Sequence, residues 1–442
     1  MLLSPQLLLR GRPVATATRV RLHSGFARNA LNGHHAKQQS ANLLKSQPFR
    51  NEQKRFAMSG NISVASMKES MKKDPVPWWL FGCAGMIATT LTVGAAASLT
   101  RSGASMLYWK PHGAFPPKSE SDWHREFQAY QEFCHFHQRK EMSLDDFKRN
   151  FKWEYAHRLL GEATALAFVG PLGYFFLKEK LPTSIHGKLA AILGLGAAQM
   201  YFGRAMVRSN VEERHRSEQT GHFATFGLPA HAAFSLANMS LLLWTGFHLV
   251  SPASRAVTLR EMTTTQALKD IGEIRKYLQA VTGLFLGTAI AGTAVAEIDA
   301  GRAYNTFPKM GKHWVPDGLF EQSPWYRNFY DNMALVQLDH RLLAVGTLAA
   351  YTAVFMKARK PNVWSNLPAE AKTALNLTMA AIGGQVAFGA TMLVYHVPTS
   401  MAMVHTSGAA LILSSSLWSL YTLRFARSST MGAAVKAATK MM

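Results

Sequence analysis

The chain has 442 residues, of which 48% are hydrophobic and 17% charged, and its formal net charge is +22. This length would allow two or three soluble domains, but the apolar residues are gathered into long runs, which excludes an ordinary soluble protein. A helix crosses the hydrocarbon core of a bilayer in about 20 residues. Eight runs are long enough, at residues 78–99, 158–177, 189–207, 228–250, 278–298, 333–356, 373–395 and 400–422. The sequence therefore predicts an all-α, polytopic membrane protein with eight transmembrane helices.

Residues 1–60 differ in kind from the rest of the chain. They contain seven arginines and a single acidic residue, Glu52. An Arg-rich, Ser-containing and acid-poor N-terminus is typical of a mitochondrial transit peptide. The alternative is a disordered basic arm that binds acidic lipid or nucleic acid. Because membrane spans follow, we favour targeting to the mitochondrial inner membrane, and we expect no nucleic-acid partner.

Two short loops indicate the orientation in the membrane. The loops after the second and sixth runs are basic, with the sequences KEKLPTSIHGK and KARKPNVWSNLPAEAK. Short basic loops face the inner side of a membrane, here the matrix. The basic segment 251–276 is therefore predicted to be a matrix linker, and both termini, including the tail 426–442, are expected in the matrix. Residues 100–153, 208–227 and 299–332 are expected on the intermembrane-space side.

The first outer segment has a helical pattern of its own. Four residues recur there at helical spacing: Phe127, Tyr130, Phe133 and His137. This spacing predicts an amphipathic helix that lies on the membrane surface. Ser143 followed by Asp146 predicts the start of the helix that leads into the second span.

The two halves of the chain repeat. HRLLG (157–161) matches HRLLA (340–344) at an offset of 183 residues, and QMYFG (199–203) matches QVAFG (385–389) at an offset of 186. Three similar offsets in the same order, the third between His231 and His405, indicate a duplication. We predict two pseudo-repeated four-helix bundles, at residues 76–250 and 277–425.

Each even-numbered span has a histidine near its outward end: His157, His231, His340 and His405. Two facing imidazoles in a helix bundle can fill both axial positions of a haem, so we predict one haem in each bundle. The alternative is a hydrogen-bonded packing residue or a member of a proton relay. His248 lies about 25 Å along the helix from His231 and belongs near the opposite face. We expect four other histidines to be solvated in the first outer segment: His112, His124, His135 and His137.

An arginine directly follows the first histidine of each bundle, Arg158 in one and Arg341 in the other. Each could pair with a haem propionate or extend to the membrane interface, and both interpretations stay open.

Glu154 stands three residues before the first histidine of the N-terminal bundle, where the C-terminal bundle has Gln337. A carboxylate can take or give a proton and an amide cannot. We therefore predict chemistry in the N-terminal bundle and a structural or electron-transfer role, with Gln337 beside the haem, in the C-terminal one. The alternative is that Glu154 only pairs with Arg158 or Lys152.

From about residue 76 to residue 425, the chain resembles the haem A synthase family. The resemblance rests on EYAHRLLG (154–161), LTRSGASMLYW (99–109), DAGRAYNTFPKMG (299–311), QLDHRLL (337–343) and VPTSMAMVHTSG (397–408). It implies an eight-span oxidoreductase that converts haem O to haem A by two hydroxylations of one methyl group, whose dehydrated product is a formyl group. It also implies a mitochondrial ferredoxin as electron donor.

The resemblance also assigns roles to the site residues. It implies that His157 and His231 hold haem O or haem A, that His340 and His405 hold haem b, and that Glu154 is the catalytic carboxylate. Some bacterial members carry a cysteine pair in an outer loop, but this chain has one cysteine in a span and only Cys134 in such a loop. Its RSGAS stretch is also shorter than usual for the family.

Two other functions remain open from the sequence. One is a di-haem cytochrome that only passes electrons, and the other is a haem carrier or oxidase assembly factor without turnover. Further partners compatible with the sequence are the lipid bilayer, haem O synthase, oxidase assembly factors and a second copy of the chain.

Overall fold

The computed structural model describes residues 74–106, 115–136, 142–212, 222–251 and 253–426. The predicted leader, the C-terminal tail, His112 and His137 lie outside the described residues, as do the side chains of Cys134, His135 and most of the 208–227 segment. Within the described ranges the regular elements are helices, so the all-α prediction is confirmed.

Twelve α-helices occur in these ranges: α1 (Val76–Leu99), α2 (Glu120–Phe136), α3 (Leu144–Leu177), α4 (Thr183–Glu212), α5 (His222–Val250), α6 (Ala253–Glu261), α7 (Thr265–Glu297), α8 (Asn328–Asp331), α9 (Met333–Ala358), α10 (Pro361–Trp364), α11 (Ala369–Val394) and α12 (Thr399–Thr422). Short 3-10 helices follow α1 (Ser102–Ser105), α7 (Ala300–Arg302) and α12 (Arg424–Ala426), and another (Trp325–Arg327) precedes α8.

Polar side chains begin several of the long helices. Ser143 Oγ accepts from the amide of Asp146 at 3.2 Å, which confirms the predicted start of α3. Thr264 begins α7 in the same way, and Asn332 Oδ1 accepts from the amides two and three residues further on in α9. Each cap satisfies backbone donors that the first turn of a helix leaves unpaired.

Six helices among the described residues are long and apolar enough to cross a membrane: α1, α3, α5, α7, α9 and α11. The prediction of a polytopic membrane protein is therefore confirmed. Helices α4 and α12, of 30 and 24 residues, coincide with the other two apolar runs. For these two helices, a membrane crossing stays a prediction.

The helices pack in a repeated pattern. In the first half, α1 packs against α3 and α5, and α4 packs against α5. In the second half, α7 packs against α9 and α12, and α11 packs against α12. The halves meet where α1 contacts α12 and, equivalently, where α7 contacts α5. One apolar core, which includes the fully buried Leu80, Leu278 and Leu413, extends through both halves.

The aromatic face of helix α2 packs against α3, and its predicted place on the membrane surface stays a prediction. The ring of Phe147 in α3 lies 5.2 Å from Tyr130 and 5.3 Å from Phe127. Trp123 also meets Phe151 of α3, at 5.2 Å. The first turns of α3 extend beyond the apolar run and cover this side of α2. Burial against α3 removes the aromatic surface from water, as burial against lipid would.

The predicted linker 251–276 is largely helical. Helix α6 occupies Ala253–Glu261 and α7 begins at Thr265, well before the apolar run at residue 278. Arg255 in α6 forms an ion pair with Glu370 at the start of α11. Hydropathy marks only the apolar part of a helix, so the sequence does not separate the polar first turns of α7 from the linker.

Candidate functional site

Three of the four histidines share one hydrogen-bonding arrangement. Their Nδ1 atoms lie 3.1–3.2 Å from a backbone carbonyl oxygen of a neighbouring helix: His157 with Thr90, His231 with Gln199, and His340 with Thr288. A carbonyl oxygen only accepts, so Nδ1 carries the hydrogen in each case. Nε2 therefore keeps its lone pair, and this is the form of histidine that binds a metal.

The structure brings His157 of α3 and His231 of α5 together. Their ring centroids are 6.4 Å apart and their planes are inclined by 71°. A metal–imidazole bond is about 2.0–2.1 Å long, and the ring centre lies roughly 1.1 Å behind the nitrogen, so two axial imidazoles have centroids about 6.3 Å apart. The spacing of this pair therefore fits the two axial ligands of a haem.

His340 of α9 and His405 of α12 occupy the corresponding places in the second half, and their pairing stays a prediction. His405 is the exception in its hydrogen bonding, because its buried Nδ1 has no partner among the described residues. The equivalent of the Gln199 carbonyl would be that of Gln385. The side-chain amide of Gln385 instead donates to the backbone oxygen of His405, at 2.8 Å.

Other histidines are remote from these pairs. His248 lies 17 residues after His231 in the same helix, α5, which corresponds to about 25 Å. His124 is exposed in α2. Neither contributes to the two histidine pairs, as the sequence predicts.

Glu154 is buried one turn before His157 and lies next to Arg158. Arg158 Nε donates to Glu154 Oε1 at 2.6 Å, and Arg158 Nη2 donates to the Met106 carbonyl at 3.0 Å. Glu154 therefore does form an ion pair with Arg158, the alternative role for Glu154. The same arginine also fixes the end of the 3-10 helix that follows α1.

The second half contains the same arrangement with an amide in place of the carboxylate. Arg341 Nη2 donates to Gln337 Oε1 at 2.7 Å and to the Tyr304 carbonyl at 3.0 Å. Gln337 Nε2 donates in turn to the Ala300 carbonyl, at 2.5 Å. Thus both arginines connect a helix to the loop after α1 or α7, which neither sequence interpretation of Arg158 and Arg341 included.

One donor of Arg341 has no acceptor among the described residues. Its Nε atom is buried and has no hydrogen-bond partner among the described residues. A buried guanidinium donor favours an acidic acceptor. A haem propionate is such an acceptor, so the structure keeps the propionate interpretation open for this arginine.

Some groups at the site have no signature in the sequence. The carbonyl oxygens of Thr90, Gln199 and Thr288 belong to the backbone, and the side-chain type does not mark them as acceptors. Gln199 lies in the repeated QMYFG stretch, which indicates a duplication but not a hydrogen-bond acceptor for His231.

Comparison with known proteins identifies the family of the chain. A family model described as "Cytochrome oxidase assembly protein" matches residues 77–417. "Heme A synthase COX15" of Bos taurus is 34% identical over 370 residues, which cover 83% of this chain and 86% of the relative. The protein of the same name in Arabidopsis thaliana is 37% identical over 347 residues, 78% of this chain and 74% of the relative.

A third relative, of Schizosaccharomyces pombe, is named "Heme A synthase-mitochondrial ferredoxin fusion protein". It is 30% identical over 371 residues, which cover 79% of this chain and 60% of the relative. The match to the family model spans most of the chain, and the proposed site residues lie within the matched range. The chain therefore belongs to the family of cytochrome oxidase assembly proteins that contains the haem A synthases.

Proposed function

We propose that this protein converts haem O to haem A in the mitochondrial inner membrane, oxidising one methyl group to a formyl group by successive hydroxylations. In this proposal, His157 and His231 hold haem O and its product, and His340 and His405 hold haem b. The observation that carries the proposal is the repeated site with a single exchange. Both halves have two histidines and a bracing arginine, but the carboxylate of Glu154 in the first half is replaced by the amide of Gln337 in the second.

Glu154 is the residue to which we assign proton transfer. It is buried, it shares a helix face with His157 three residues away, and its Oε1 is held by Arg158 at 2.6 Å. A carboxylate in this position can exchange a proton with a group bound between the histidines. Gln337 has the same surroundings and cannot, so the second half is assigned to electron transfer.

The residues around the first pair also orient the substrate. The Nδ1 hydrogen bonds to Thr90 and Gln199 hold both imidazoles with Nε2 free, and ligation at both Nε2 atoms would fix the plane of a bound haem. The bound haem of the second half supplies redox chemistry when present. The protein's own contribution is binding, orientation and a proton at Glu154.

A mitochondrial ferredoxin is the electron donor that we propose. The fusion of a related haem A synthase to a mitochondrial ferredoxin in one relative supports this choice. The basic leader and the basic loops support an inner-membrane location with the termini in the matrix and the haem sites towards the intermembrane space.

A haem analysis tests the proposal. The protein is expressed in cells that make haem b and haem O and purified in mild detergent, and its haems are extracted and separated with mass detection. We expect haem b together with haem A or a hydroxylated haem O. Haem b alone, with added haem O and reductant left unchanged, would instead support an electron-transfer cytochrome or a haem carrier.

A further inference from the structure

A glycine faces each of the four histidines from the neighbouring helix. A Cβ atom added at Gly94, Gly292 or Gly389 would lie 2.8 Å from the Cε1 of His157, His340 or His405, respectively. A Cβ added at Gly203 would lie 3.2 Å from Cε1 of His231. Real Cβ contacts essentially never fall below 3.0 Å, so three of these rings occupy space that any side chain on the facing helix would fill.

The carbonyls that accept from these rings stand at a constant spacing in the sequence from the glycines. Thr90, Gln199 and Thr288, whose carbonyls accept from Nδ1, each lie four residues before the glycine that the same ring contacts. Residues four apart lie above one another on one helix face. A missing side chain at the glycine therefore exposes the carbonyl of the preceding turn to the ring.

The same four-residue spacing occurs once in each of the four facing helices. The stretches are TLTVG (90–94) in α1, QMYFG (199–203) in α4, TAIAG (288–292) in α7 and QVAFG (385–389) in α11. We call each glycine together with the carbonyl four residues before it an imidazole seat. The glycine contact occurs at all four histidines, and the hydrogen bond to the carbonyl occurs at three of them.

We propose that Gly94, Gly203, Gly292 and Gly389 are positioning residues that set the plane of the four haem-ligating imidazoles. This inference rests on the proposed function, because it assigns the rings to haem iron. The glycine lets the ring lie directly on the facing helix, and the carbonyl fixes its rotation about the Cβ–Cγ bond. Where the carbonyl accepts from Nδ1, Nε2 carries no hydrogen and is left to bind the ligand.

The seat of His405 lacks its hydrogen bond. Its Nδ1 has no partner among the described residues, so Gly389 alone fixes the ring from this side. We expect the plane of His405 to be the most sensitive of the four to a side chain on its seat. The seat of His231 is the loosest, because its added Cβ would lie 0.4 Å further away than in the other three.

Substitution of seat glycines, compared with glycines on the same helices, tests the proposal. Gly292→Ala and Gly389→Ala change two seats. Gly287→Ala in α7 and Gly384→Ala in α11 are the matched controls, since an added Cβ meets nothing within 4 Å at either position. A seat variant and the control on the same helix change helix propensity equally, because both replace glycine by alanine. A difference between the two variants therefore reports the contact with the ring.

The readouts are haem content and the low-temperature EPR spectrum of the oxidised protein. We expect the controls to keep the low-spin signal of the wild type. The seat variants should show a shifted low-spin signal, or its loss in favour of a high-spin one, with the larger change in Gly389→Ala. Seat variants with the spectrum of their controls would overturn the inference. A wild type without any bis-histidine haem would instead overturn the proposed function.

A second measurement needs no bound haem. If the cost of Gly292→Ala is a clash with the ring, removing the ring should remove the cost. We therefore expect Gly292→Ala to lower the melting temperature or yield of the wild type, but not of His340→Ala. An equal loss in both backgrounds would show that Gly292 serves helix packing alone, and the inference would be wrong.

Discussion

Arg101 donates to Asp299 at 3.1 Å, and the two residues occupy equivalent places in the two halves of the chain. Each lies at the end of a long helix and begins a 3-10 helix in the left-handed conformation, with φ of 51° at Arg101 and 57° at Asp299. Their spacing of 198 residues is also that of the seat glycines Gly94 and Gly292. The duplicated halves are therefore joined by an ion pair between repeat-related positions.

A charge exchange tests this contact between the halves. The pair is partly exposed, so each of Arg101→Asp and Asp299→Arg should cost only about 0.5–1 kcal/mol of stability. The double variant should recover only part of the loss. Its opposite charges still face each other, but Arg302, 3.5 Å from Asp299, would then face an arginine. Melting curves of the four proteins in detergent measure the effect, and a double variant less stable than both single variants would contradict it.

Glu154→Gln should fold and keep both haems but lose conversion of haem O. The amide of Gln337 already accepts from Arg341 in the equivalent place, so a glutamine at 154 can accept from Arg158. Loss of a positioned acid–base group should lower the rate by about 10²–10⁴-fold. Turnover of added haem O measures the rate, and an unchanged rate at normal haem content would remove Glu154 from the chemistry.

Arg158→Met should destabilise the protein much more than Arg341→Met. The first change leaves the buried carboxylate of Glu154 without its cation, which costs about 3–5 kcal/mol. The second leaves a neutral amide and a few lost hydrogen bonds of about 1 kcal/mol each. Adding Glu154→Gln to Arg158→Met should restore stability, and thermal melting of the three variants decides the matter.

Removal of single histidines should empty one haem site at a time. His340→Ala should lose the haem b and keep a low-spin haem in the first half, whereas His157→Ala should do the reverse. His248→Ala is the control, because it lies about 25 Å from His231 on the same helix. Pyridine haemochrome analysis gives the stoichiometry, and loss of both haems in His248→Ala would contradict the assignment.

The sequence predicts this site because its ionisable residues stand inside apolar runs. Residue type alone identifies the four histidines, Glu154 and the equivalent amide of Gln337. The structure places the ring centroids of the first histidine pair 6.4 Å apart. The acceptors of the Nδ1 hydrogens are backbone carbonyls, which every residue has. Their selection depends on which helix packs against which, and a single sequence does not state this.

Two features of the fold are not predicted by the sequence, and for the same reason. An apolar stripe on α2 predicts burial but does not say that the first turns of α3 cover it. The polar start of α7 has no apolar run, so hydropathy does not reveal that the helix already begins after Thr264. For α2 and for the start of α7, contacts with other parts of the chain determine the structure.

The exchange of Glu154 for Gln337 also leaves unequal electrostatics in the two halves. Glu154 and Arg158 cancel each other's charge, whereas Arg341 is paired with the neutral amide of Gln337. A positive charge in a poorly polarisable surrounding stabilises the reduced form of a nearby redox centre. We therefore expect Gln337→Glu to lower the midpoint potential of the second-half haem in a redox titration, with Glu154→Gln raising that of the first. In the proposed function, Gln337 therefore has two consequences relative to a glutamate at this position. It provides no proton carrier, and it favours the reduced form of the second-half haem.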